Sequence, residues 1–118
     1  MMTRGAADAC AGQVMDGLPE EIAEALSAVR VYVVEGPDDP ELGEAIRYAG
    51  LHEAAVWGDF RGLFLGRQVG DDLARPAGAI VLNCEAMGGL VDVRDTLAHE
   101  MGHALGMSEA EVSALGLA

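Results

Sequence analysis

The chain has 118 residues, 51% of them hydrophobic but only 4% aromatic, so it can bury a modest aliphatic core and carries no disorder signature. Twenty acids oppose seven arginines, with no lysine, for a formal charge of −13. Such a surface repels polyanions, which excludes DNA and RNA as expected partners.

Cys10 and Cys84 are too few for a disulfide scaffold and lack metal-ligand spacing. Separate, reduced thiols in a cytoplasmic protein are the expectation. No apolar run reaches the length of a signal sequence or a membrane span, so no membrane partner is expected. One domain over residues 1–118 accounts for the length.

In chain order, residues 1–11 are small and polar-leaning and predict a flexible tail or the lead into a first helix. Residues 13–29 place Val14, Leu18, Ile22, Leu26 and Val29 three or four apart, a helical stripe interrupted by Gly17 and Pro19. One kinked helix or two short ones satisfy it, with Glu20 and Glu21 suited to the first turn of a helix begun by Pro19. RVYVVE, residues 30–35, predicts a strand. The proline- and acid-rich residues 36–43 predict an exposed connection, and 41–51 fit helix or loop equally. Residues 56–65 (VWGDFRGLFL) suggest a bent hairpin, and 66–78 a loop. AIVLNC, residues 79–84, predicts a strand buried on both faces.

The next segment, LVDVRDTLAHEMGHAL (residues 90–105), is periodic. Leu90, Val93, Leu97, Met101 and Leu105 predict the buried stripe of a helix, and Gly106 its C-terminal stop. Ser108 followed by Glu111 forms a potential capping box for a short last helix.

That periodic helix carries the chemistry. His99 and His103 stand four residues apart, so about 6 Å of axial rise separates them and both leave the same face toward one ion. Glu100 is turned about 100° from His99, the offset that lets the glutamate of an HExxH motif act on water instead of ligating the metal. In a chain of this composition HExxH arises by chance about once in a hundred sequences, and its place within an amphipathic helix favours a metal site. A catalytic zinc takes three protein ligands. Glu109, three residues beyond the turn at Gly106, is the favoured third, with Glu111, His52 or no third ligand as alternatives.

HEMGHALGMSE resembles the HExxHxxGxx(H/D) pattern of metzincin-type zincins, with Glu109 at the third-ligand position. More broadly, the chain resembles the small bacterial zincin-like proteins, the minimal metallopeptidase family. LPEE at residues 18–21 followed by RVYVVE, the acidic loop containing Glu35, Asp39 and Pro40, the AIVLN strand, and VRDTLAHEMGHALGMSEAEVSALG carry the resemblance. It is weakest across residues 44–76. Two departures stand out: glutamate replaces the family's aspartate at 109, and Met107 is not a Met-turn. The resemblance implies a minimal zincin-like α+β fold. A small mixed sheet would pack against an N-terminal helix and the HExxH helix, followed by a short last helix.

It further implies Zn²⁺ held by His99, His103 and Glu109, with Glu100 as general base in hydrolysis of a peptide or protein substrate. Tyr32, Tyr48, His52 and Arg94 are the candidate oxyanion stabilisers, none favoured by spacing. The AIVLN strand or its hairpin neighbour offers an edge to an extended peptide, against a plain role in the core. The rival expectation is a non-catalytic domain that binds zinc structurally or contacts a protein through its acidic surface. Oligomeric state is not readable from the sequence.

Overall fold

A computed structural model of the chain describes residues 2–36, 38–50, 60–67 and 77–106. The small residues near the start are helical, not a tail. Thr3 accepts a hydrogen bond from the Ala6 amide at 3.2 Å and caps α1 (Arg4–Asp16). Alanine favours the helix, and Ala7, Cys10 and Ala11 form its buried face. Side chains this small bring the backbone of α1 close to its neighbours but leave little hydrophobic periodicity to read. Gly17 ends α1, and the Pro19 carbonyl accepts from Ile22 and Ala23 to begin α2 (Glu20–Ala25). The interrupted stripe is therefore divided: Val14 is in α1 and Ile22 in α2, Leu18 lies between them, and Leu26 and Val29 fall beyond α2, Val29 within the first strand.

β1 (Ala28–Val34) follows, then α3 (Pro40–Tyr48). The helix begins inside the stretch expected as an exposed connection, because Asp39 and Pro40 make a strong start signal. Proline stands in the first turn, and the Asp39 carboxylate accepts from the Glu41 amide at 2.9 Å and the Glu35 amide at 2.8 Å. Arg4 lies 3.5 Å from the same carboxylate and also pairs with Glu41. Burial acts to raise the Asp39 carboxyl, but the two amides and the guanidinium outweigh it and hold the group below its ordinary value.

β2 (Gly62–Arg67) and β3 (Ala77–Asn83) complete a mixed sheet of order β1-β3-β2. β3 runs parallel to β1, with Val31 opposite Ile80, and antiparallel to β2, with Leu63 opposite Val81. Residues 66, 67, 77 and 78, expected in a loop, are strand because each pairs across the sheet. The remainder of that expected loop lies outside the described residues, as do residues 56–59 of the hairpin expected over 56–65, whose residues 62–65 belong to β2.

β3 is central and buried on both faces. Its alternate side chains divide the core. Ile80 and Leu82 join Val29, Val33, Cys10, Val93 and Leu97 on one side, and Ala79 and Val81 join Val34, Leu42, Ile46 and Leu65 on the other. The fold is thus α+β, with α1 and α4 (Leu90–Ala104) on one face of the sheet and α3 on the opposite face. A 3₁₀ turn, Cys84–Ala86, joins β3 to the approach to α4.

The buried face of α4 contains Val93, Thr96, Leu97, Glu100, Met101 and Ala104, the i, i+3, i+4 pattern of a helix lying on a sheet. Leu90 and Leu105, expected at the ends of this stripe, are 48% and 41% exposed. Each stands at a helix terminus, and the polar Thr96 and Glu100 occupy the buried face between them. Among the described residues no helix is long and apolar enough to cross a membrane. The expected last helix lies outside the described residues.

Candidate metal centre

The two histidines occupy the last two turns of α4. At the helix start, Asp92 reaches back and accepts from the Gly88 amide at 2.7 Å. At its end, Gly106 adopts φ +87° and donates to the His103 carbonyl at 3.0 Å, the left-handed stop expected from its sequence position. Both termini thus set where the HExxH turns fall.

The Nε2 atoms of His99 and His103 are 3.1 Å apart, and the rings meet edge to face with centroids 4.7 Å apart. Two nitrogens on one tetrahedral zinc at about 2.0–2.1 Å each lie about 3.3 Å from one another. The pair fits a shared ion with little adjustment. The same separation suits a hydrogen bond when one ring carries its proton on Nε2.

Glu100 is only 8% exposed and faces the start of β2. A β-carbon at Gly62 would lie 2.4 Å from Thr96 Cγ2 and 3.3 Å from Glu100 Cγ. Glycine at 62 is what permits the strand to rest directly on the helix beside the HExxH glutamate. The approach leaves an open cleft of about 340 Å³. Phe60, Arg61 and Gly62 form one wall, and α4 forms the other through Asp92, Asp95, Thr96, His99 and Glu100. Three carboxylates against one guanidinium make the cleft acidic, and Arg61 forms no ion pair among the described residues.

The structure brings His99 and His103 together as their spacing predicts, and His99 and Glu100 line one cleft. Among the described residues no group of three or more His, Cys, Asp or Glu forms a metal-binding cluster. Glu109, Glu111 and His52 lie outside the described residues.

Two of the candidate oxyanion stabilisers are misplaced. Tyr32 and Tyr48 pack with the α3 side of the sheet, their ring centroids 6.5 Å apart, and the Tyr48 hydroxyl donates to the Ala28 carbonyl at 3.0 Å. Arg30 lies over the Tyr48 ring at 4.4 Å. That cluster is across the sheet from α4. Arg94 is exposed on α4 and does not line the cleft. The cation that does is Arg61, which hydrophobic patterning did not single out because the signal is the pairing of β2 with β3. AIVLN is a core strand paired on both sides and offers no edge; among the described residues its neighbour β2 is the outer strand on this side.

Comparison with family models and with curated proteins yields no match to the chain.

Proposed function

We propose that the chain is a zinc-dependent metallopeptidase of the minimal zincin-like type, acting on peptides or proteins. The observation that carries the proposal is the pair of Nε2 atoms 3.1 Å apart on one helix, next to a buried glutamate that lines the same cleft as His99. His99 and His103 supply two imidazole ligands, and Glu109 is the proposed third. Zinc, when bound, supplies Lewis acidity toward a peptide carbonyl and acidifies water.

Glu100 takes the proton from the attacking water and returns it to the leaving amine; its side chain lines the cleft, with Cγ packed beside Gly62. Arg61, on the facing wall, orients and polarises the substrate carbonyl by charge-assisted hydrogen bonding. β2, the outer strand on its side among the described residues, offers backbone groups to an extended substrate. The buried free thiols of Cys10 and Cys84 support a reducing, cytoplasmic setting, and the charge of −13 supports a partner other than nucleic acid.

The test is metal analysis after zinc reconstitution, paired with peptide-library cleavage by wild type and Glu100→Gln. The expected result is equal zinc uptake by both, with cleavage about 10²- to 10⁴-fold lower in the variant. Equal cleavage by both removes Glu100 from the chemistry, and failure of wild type to take up zinc removes the site. Zinc uptake without turnover favours the non-catalytic alternative, a structural zinc or a protein-contact module.

A further inference from the structure

Asn83 ends β3 and is 5% exposed. Its side chain is divided between two jobs. Oδ1 accepts from the Gly36 amide at 3.1 Å and the Glu85 amide at 3.2 Å, which fastens the turn after β1 to the 3₁₀ turn. Nδ2 donates to the Phe60 carbonyl at 2.9 Å, and the Asn83 amide donates to the Arg61 carbonyl at 2.9 Å. Two successive carbonyls of the non-helical cleft wall are therefore held by one buried residue. The next residue in that wall, Gly62, is the one at which a β-carbon would meet Thr96 and Glu100.

We propose that Asn83 is the positioning residue of the cleft, fixing residues 60–62 opposite Glu100. The chemistry requires an amide. A carboxylate supplies the two acceptor contacts but has no hydrogen for Phe60, and an aliphatic side chain supplies neither. Main-chain pairing of β2 with β3 sets the strand register from Gly62 onward. It leaves the Phe60 carbonyl to the side chain of Asn83 alone among the described hydrogen bonds. The consequence for catalysis rests on the peptidase reading given above; the placement of the wall does not.

Two variants separate the two halves of the clamp. Asn83→Asp keeps the acceptor for Gly36 and Glu85 and loses the donor to Phe60; Asn83→Ala loses both. Hydrogen exchange of the metal-free proteins is the primary readout. Asn83→Asp is expected to raise exchange about tenfold across residues 60–64, with Gly36 and the buried turn of α1 as in wild type. Asn83→Ala raises it at Gly36 as well. Unchanged exchange at 60–64 in Asn83→Asp, or an equal rise throughout the chain, overturns the proposal.

On zinc-loaded protein, Asn83→Asp is expected to raise KM several-fold with zinc uptake unchanged. Simple loss of folded protein instead lowers apparent kcat at constant KM, and that outcome also overturns it. A wild type without turnover refutes the peptidase reading, and the exchange pattern still decides the role of Asn83.

Discussion

Adding one methyl group at Gly62 tests how tightly the strand beside the HExxH helix is held. The ideal β-carbon of Gly62→Ala lies 2.4 Å from Thr96 Cγ2, 3.3 Å from Glu100 Cγ and 3.6 Å from Leu82 Cδ2. The last is an ordinary contact, and the second requires a small adjustment. The first is far inside contact distance and forces a shift. Thr96 is β-branched and on a helix, so its side chain has few rotamers into which to retreat. Strand or helix must move, at a cost of about 1–3 kcal/mol. For a domain of this size that lowers Tm by about 4–12 °C.

Urea denaturation of the metal-free protein measures the cost without reference to catalysis. Thr96→Ser deletes the offending methyl while keeping the hydroxyl, so Gly62→Ala/Thr96→Ser should recover about 1 kcal/mol or more of the loss, seen as a coupling energy in the double-mutant cycle. Gly62→Ala within about 0.5 kcal/mol of wild type would refute the close approach. So would a double mutant no more stable than the sum of the singles.

Asp39 supplies a pH signature. Its folded carboxyl lies below the unperturbed value of 3.8, so its contribution is complete above that pH and is lost as pH falls through the lowered folded value. Asp39→Asn should cost about 1–2 kcal/mol at neutral pH, since one amide donor loses its acceptor, and the stability curves should converge in acid; a constant gap across pH contradicts the assignment. Burial, reinforced by the nearby carboxylates of Glu35 and Glu85, pushes the Cys84 thiol up. With Cys10→Ala as background, native Cys84 should react with iodoacetamide at pH 8 at least about a hundredfold slower than in urea. Equal rates would place the thiol at the surface.

The elements legible in the sequence are those whose signal is local. β3 was readable because AIVLN is a continuous apolar run, and α4 because Val93, Leu97 and Met101 recur with the helical period and Gly106 follows as a stop. The His99–His103 geometry is likewise local, since a helix alone brings residues four apart together. α1 was hidden because its buried face is alanine and cysteine, whose size carries little periodic contrast. The start of α3 was hidden because Asp39 and Pro40 suit a loop and a helix cap alike.

Tertiary structure decided what depends on distant partners. Sequence assigned Glu100 its place beside His99, but its burial comes from Gly62, brought against α4 by a strand whose register is set by β3. Arg61 faces the HExxH helix, and Tyr32 and Tyr48 fall on the far side of the sheet, for the same reason. Side-chain period tells which residues share a face; only strand pairing tells which face meets which helix. The HExxH helix is a property of the sequence, whereas the acidic cleft around it is a property of the fold.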